Sequence, residues 1–249
     1  MLFDEIRPIP LEELDIHLDK FRAAMDRLNP GWQMVAINHK VAMYYFTGTI
    51  QDGVLIIRPD DAVLWVRRLY ERAVKESNFR DIRPMHSFRE VAAAYECIPE
   101  KLYVEKKRAT LDWLDMLNKY FHFSEVGGID GAMMEIRKVK TAFELSLMRE
   151  SGKIHGAVLD KFAPMIIKEG ISEAELGISL YKEMVARGSH GTARFNMPMG
   201  EEVVGIASLG KSGLVKTAFD GPGGTNGTCI AVASIGSAAR RLRQNQTVY

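Results

Sequence analysis

The sequence predicts an α/β domain followed by an α+β domain, with the change of texture near Glu135. Three observations predict it. Strand-like and helix-like runs alternate over residues 1–125, the pattern of a layered α/β domain. Two capping boxes then open successive helices, Thr141 with Glu144 and Ser172 with Glu175, because a Ser or Thr oxygen and a Glu three residues on can serve each other's backbone N–H. After Gly188 the chain is rich in Gly, Ser, Thr and β-branched residues, the composition of short strands between glycine turns.

The elements follow in order. Leu14, Leu18, Phe21, Met25 and Leu28 recur every three or four residues, which predicts an amphipathic helix over 11–28. Asn29-Pro30 stops it, since proline disfavours helix in the residue before it. Met34–Asn38 reads as a short buried strand, and Val41–Phe46 runs on to a turn at Gly48. Gly53–Arg58 and Ala62–Val66 flank Pro59-Asp60-Asp61, two apolar runs around turn chemistry and hence a hairpin. Leu69–Ser77 and Ser87–Tyr95 look helical on either side of a strand at Ile82. Leu102–Glu105 is strand-like, Ala109–Tyr120 is a helix with Leu111, Leu114 and Leu117 on one face, and Phe121–Ser124 returns as strand.

In the second domain, Leu145, Met148, His155, Leu159, Phe162 and Ile166 keep helical spacing, with Pro164 expected to kink the helix and Gly170 expected at its C-cap. Leu176, Leu180 and Met184 share one face of the next helix, closed by Gly188. Val203–Ser208, Val215–Ala218 and Ile230–Ser234 are the expected strands, and Thr247–Tyr249 opens a further one inside which the sequence ends, as though cut. That cut is expected to leave an unpaired sheet edge at Val248.

Charge and composition narrow the function. The chain has 249 residues, 47% of them apolar, and 33 basic residues against 32 acidic ones. A net charge of +1 gives no electrostatic claim on nucleic acid or an anionic membrane. The two cysteines, Cys97 and Cys229, make neither a disulfide framework nor a CxxC zinc site. The N-terminus lacks the apolar segment of a signal peptide, and no run approaches the ~18 apolar residues of a membrane helix. The expectation is a soluble, cytoplasmic protein.

Single histidines at 17, 39, 86, 122 and 155 have no partner at metal-ligand spacing. Glu201-Glu202 are neighbours on an expected strand and so point to opposite faces, which excludes a carboxylate dyad. Ser212 and Ser234 lack the G-x-S-x-G elbow of serine hydrolases.

At this point the motifs resemble a known family. Met43-Tyr-Tyr-Phe-Thr-Gly48, followed by Asp52–Ile57, resembles the "YLTG" turn and hairpin at the N-terminus of creatinases, prolidases and aminopeptidases P. Leu102–Glu105 is similar to their "GVE" strand. Ile136–Arg149 resembles the linker and first catalytic-domain helix, "R-x-x-K-(S/T)-x-x-E-(I/L)-x-x-(M/L)-R", and is the most specific match. Phe219–Gly227 resembles a glycine–asparagine loop, and Arg241–Tyr249 the segment "L-x-x-G-(D/Q)-x-V-x-x-D".

The resemblance implies an α/β N-terminal creatinase/prolidase-type domain, residues 1–135, followed by an incomplete α+β pita-bread catalytic domain, residues 136–249. It implies an Xaa-Pro peptidase-like metallohydrolase of the aminopeptidase P or prolidase type in a longer parent, with this chain inactive. The family's five metal ligands (Asp, Asp, His, Glu and Glu) would all fall beyond Tyr249. No catalytic residue and no metal ligand is therefore assigned here, and two divalent ions (Mn, Co or Zn) are expected only where a parent retains those ligands. Members of the family dimerise, so a homodimer is expected, acting on a peptide or a small C–N substrate.

Two alternatives stay open: a non-catalytic pita-bread pseudo-peptidase or binding module, and a creatinase-like, metal-independent C–N hydrolase. Many members carry a histidine after the glycine–asparagine loop, near the place of Ala231; here no histidine follows His190. Six residues are substrate-binding candidates. His190, Arg194 and Phe195 sit in or after a loop entering the second domain, where an arginine fork suits a carboxylate; the bland reading is a surface loop. Gly223, Gly224 and Asn226 permit close backbone approach, or simply make a tight turn. By resemblance, Thr49, Ile50 and Gln51 reach a partner subunit's cleft, against the reading of an ordinary hairpin loop.

Overall fold

The computed structural model describes residues 8–194, 201–202, 205–215, 227–229 and 234–249. They form two compact units, Asp4–Phe143 and Glu144–Tyr249.

The first unit is built on a six-stranded sheet. Its strands are β1 (Val35–Ile37), β2 (Gly53–Ile57), β3 (Ala62–Val66), β4 (Ile82–Pro84), β5 (Lys101–Val104) and β6 (Glu125–Gly128), in the spatial order β4-β3-β2-β1-β5-β6. β2 runs antiparallel to both neighbours, whereas β3–β4, β1–β5 and β5–β6 are parallel. Every strand except β2 therefore points the same way.

Strand residues face alternately to two cores. Val35, Ile37, Leu55, Ile57, Leu64 and Val66 face one. Ala36, Val54, Ile56, Val63, Trp65 and Val104 face the other. Helices α1 (Leu11–Leu28), α2 (Lys40–Thr47), α3 (Tyr70–Glu76) and α6 (Asp130–Lys138) supply the first core. Helices α4 (Phe88–Ala93) and α5 (Leu111–Phe121) supply the second. Burial on both faces is why these strands read as continuous apolar runs rather than as alternation.

The expected hairpin is present in full register from Gly53↔Val66 to Ile57↔Ala62. Its turn is closed by Arg58, whose N–H donates to the Asp61 carbonyl at 2.9 Å and whose guanidinium grips the Asp61 carboxylate at 2.8 and 2.6 Å. Gly53 is required at its open end, because a Cβ there would stand 1.9 Å from the Trp65 carbonyl oxygen.

Four local expectations are corrected or completed. Val41–Phe46, expected only to run on to a turn, forms a helix: α2 buries Ala42, Met43 and Phe46 and ends at Gly48 in the left-handed region. The buried face of α5 is Trp113, Leu117 and Phe121, while Leu111 is 80% exposed. The strand expected at Phe121–Ser124 starts at Glu125, because α5 runs through Phe121 and stops at His122 (φ 53°). Asp130–Lys138 is a helix that belongs to the first unit: Ala132, Met133 and Ile136 are buried in the same core as α1. The two units accordingly divide after Phe143, later than the 135/136 boundary read from the sequence.

Helix α7 (Ala142–Gly156), which belongs to the second unit from Glu144 on, has no buried residue among those described. Its chain widens into a π-helical turn over Ala157–Phe162 before the short α8 (Ala163–Ile166). Pro164 accounts for this irregularity, since it has no N–H to donate and its ring crowds the carbonyl four residues earlier. Gly170 is not a helix cap: α8 ends at Ile166 with Ile167 as its cap, and the Gly170 N–H donates instead to the Leu242 carbonyl at 2.9 Å.

Helix α9 (Glu173–Ala186) starts with the expected capping box, Glu175 N–H to Ser172 Oγ at 3.1 Å and Ser172 N–H to Glu175 Oε2 at 2.8 Å. A small core gathers Leu176, Ala207, Leu209 and Leu242. Of the expected strands, Val215–Ala218 and Ile230–Ser234 fall almost entirely outside the described residues. Those described show β7 (Ala193–Arg194) antiparallel to β8 (Glu201–Glu202) and single pairings of Ile206 with Ile235 and Leu209 with Val248. Val248 thus has a partner on one side: Ser208 and Tyr249 exchange backbone hydrogen bonds of 3.2 and 3.0 Å.

Candidate functional site

The segment between α2 and β2 carries the first group of candidate residues. α2 delivers Thr47, whose hydroxyl donates to the Met43 carbonyl at 2.8 Å and the Thr49 carbonyl at 3.2 Å. From there the loop turns inward. Thr49 Oγ1 donates to Glu76 Oε1 at 2.5 Å, and Gln51 Nε2 donates to the same oxygen at 2.9 Å. The other Glu76 oxygen takes Arg72 Nε at 2.9 Å. One carboxylate at the end of α3 thereby ties the loop down.

Thr49 is 2% exposed and Gln51 6%, so both side chains are committed within their own protomer. The sequence offered no sign of this, because Glu76 lies 25 residues from Gln51. Ile50, the third residue expected at a partner's cleft, is half-buried.

A second cluster lies in the C-terminal unit and was not singled out from the sequence. Glu173, the first residue of α9, is fully buried. Its Oε1 accepts the Leu209 N–H at 3.0 Å and the Ser212 hydroxyl, and its Oε2 accepts the Ser237 N–H at 2.9 Å. Arg240 Nη1 stands 3.5 Å from Oε1. Burial pushes this carboxyl upward, but Ser212, the two backbone N–H groups and Arg240 outweigh it and hold the group below the ordinary carboxylate range. Gly236 makes room for the packing, since a Cβ there would meet Glu173 Cβ at 2.6 Å. Ser212 is buried in a 3₁₀ turn with its hydroxyl engaged, consistent with the exclusion of a serine nucleophile.

The remaining candidates separate. His190 is exposed between α9 and β7, and Arg194 lies on β7, paired with Glu201 across the two-residue ladder. Phe195, Gly223, Gly224 and Asn226 lie outside the described residues.

The family's divalent metals can be tested against these groups. Within either unit taken by itself, the described residues bring no three His, Cys, Asp or Glu side chains to a common point. Both Glu173 oxygens face donors, and Glu175 is spent on the capping box. These residues do not fit a metal, and no step is derived through one.

Comparison with known proteins decides the family of the first unit. Residues 17–139 match the creatinase/prolidase N-terminal domain.

Residues 17–139 are a creatinase/prolidase N-terminal domain.

Solved structures extend the likeness in fold past this creatinase/prolidase N-terminal domain. The prolidase from Pyrococcus furiosus superposes with a TM-score of 0.71 at 22% identity, covering 93% of this chain and 64% of that one. The Xaa-Pro dipeptidase from Bacillus anthracis gives 0.71 at 20%, covering 94% and 59%. The X-Pro aminopeptidase from Thermotoga maritima gives 0.64 at 17%, covering 92% and 59%. The chain thus spans about three-fifths of the length of these proteins. The fold is the expected one, an N-terminal creatinase/prolidase-type domain followed by part of a pita-bread domain. No curated protein matches the sequence significantly.

Proposed function

We propose that this chain is the scaffold portion of an Xaa-Pro peptidase-like hydrolase of the aminopeptidase P or prolidase type, and that it does not hydrolyse peptides by itself. The observation that carries the reading is the pairing of a creatinase/prolidase N-terminal domain with a second unit whose fold follows prolidases over nearly the whole chain. In support of the inactivity, neither unit taken by itself brings three His, Cys, Asp or Glu side chains together among the described residues.

The protein is further proposed to be a cytoplasmic homodimer with a peptide substrate. Among the described residues no helix is long and apolar enough to cross a membrane, in keeping with that placement.

One experiment tests the reading directly. The gene is read past the codon for Tyr249, and the longer product and this chain are each assayed with Gly-Pro and a Xaa-Pro tripeptide in manganese. The reading requires hydrolysis by a longer product carrying the Asp, Asp, His, Glu, Glu set and none by this chain. Turnover by this chain, or micromolar manganese binding to it in calorimetry, would overturn the inactivity. A longer product without those ligands and without turnover would favour the binding module, the reading that the missing histidine after His190 already supports. Light scattering that finds only a monomer at high concentration would overturn the dimer.

A further inference from the structure

The strand directions of the first unit place several chain segments at one edge. β1, β3 and β4 all end there, and the reversed β2 begins there. The residues just outside are Asn38 after β1, Arg67 and Arg68 after β3, Met85 after β4, and Gln51 and Asp52 before β2. Together they line a cavity of about 470 Å³. In α/β sheets the crevice outside the carboxyl ends of the strands is where ligands bind.

The charge of this cavity is one-sided. Lys40, Arg67, Arg68 and Arg72 line it, against Asp52 as the acid among its lining residues. Arg72 is engaged by Glu76 at 2.9 Å, and Arg68 stands 3.7 Å from Asp52. Lys40 and Arg67 have no ion-pair partner among the described residues. The chain as a whole is balanced at +1, so the imbalance is a property of this place. The lining also includes the apolar side chains of Met85, Phe88 and Trp113.

At the rim stands Leu69, 63% exposed and held at φ 58°, ψ 45°. A bulky residue in the left-handed region is strained, and such strain gathers at binding sites.

We infer that this cavity binds a small oxyanion carried on an apolar or aromatic group. Guanidinium groups recognise carboxylate and phosphate through paired N–H donors, and an apolar lining with a few placed charges is the usual make-up of a small-molecule site. Scattered exposed arginines would be an ordinary solvated surface. Four cations converging on one concavity, two of them without an acid partner, are not. The site is independent of the peptidase reading, and its failure leaves that reading untouched.

Calorimetry with phenyl phosphate, 3-phenylpropionate and inorganic phosphate tests it. Binding of phenyl phosphate or 3-phenylpropionate is expected, and the tighter of the two identifies the oxyanion as phosphate or carboxylate. Affinity should fall with added salt and about tenfold or more in Arg67→Glu. It should hold in Lys101→Glu, a control at the other end of the strands. Tryptophan fluorescence melting confirms that both variants remain folded. Absence of heat from both aromatic anions at millimolar concentration would overturn the inference. So would equal binding by Arg67→Glu and the parent protein, or inorganic phosphate binding as tightly as phenyl phosphate.

Discussion

Replacing Glu173 with alanine should loosen the C-terminal unit without touching the N-terminal one. The substitution removes the acceptor for the Leu209 and Ser237 N–H groups, frees the Ser212 hydroxyl and strips Arg240 of its partner. Each orphaned buried donor costs about 1–3 kcal/mol. Ser212 can fall back on the Leu209 carbonyl at 2.9 Å, so two N–H groups dominate. The expected loss is roughly 3–5 kcal/mol, in line with breaking a buried charged network.

The assay must be local. Trp32, Trp65 and Trp113 all lie in the first unit, so tryptophan fluorescence is blind to the second. Hydrogen exchange read by mass spectrometry over 173–188, 205–215 and 237–249 should speed up strongly in Glu173→Ala, with the tryptophan-detected melt unchanged. Glu173→Gln separates charge from shape and brings in pH. The folded carboxyl titrates below its ordinary range, so its charge stabilises fully above the unfolded carboxylate pKa. That contribution is lost as pH falls through the lower folded value. The parent protein should outperform Glu173→Gln at neutral pH, and the gap should close in acid. Exchange in those segments within about 0.5 kcal/mol of the parent for Glu173→Ala would refute the reasoning.

Three further outcomes are expected. Gly53→Ala forces a Cβ onto the Trp65 carbonyl and should cost at least about 2 kcal/mol, read as a lower tryptophan-detected melting temperature. Glu76→Ala removes the acceptor shared by Thr49, Gln51 and Arg72 and should cost roughly 2 kcal/mol, with faster hydrogen exchange confined to residues 47–53 and α3. Ser172→Ala abolishes the capping box and should cost about 1 kcal/mol, seen as fraying of the first turn of α9 in hydrogen exchange.

Much of the first unit was legible because its signals are local. The hairpin at 53–66 declares itself through two apolar runs around Pro59-Asp60-Asp61, and α9 through Ser172 and Glu175. α2 was not legible: Val41–Phe46 is as apolar and aromatic as a strand, and its packing beside Phe21 in the first core decides for helix. The face of α5 was misread because leucine spacing was followed where Trp113 and Phe121 carry the burial.

The sites were less legible, since both are long-range. Glu173 and Ser212 meet across 39 residues, and the basic cavity joins Lys40 to Arg67, Arg68 and Arg72. A faint signal for the latter existed in the pair Arg67-Arg68 followed four residues later by Arg72. The resemblance named the loop at 49–51 but not that Thr49 and Gln51 are held within their own chain by Glu76.

The double-sided burial of β2 has a consequence for how its alignment is encoded. Sliding this strand by one position would exchange Leu55 and Ile57 for Val54 and Ile56, greasy residues for greasy residues, so polarity opposes the slip only weakly. The lock is steric: Gly53, paired with Val66, lies against the Trp65 carbonyl oxygen, where nothing larger than hydrogen fits, and it is the tooth that fits that notch.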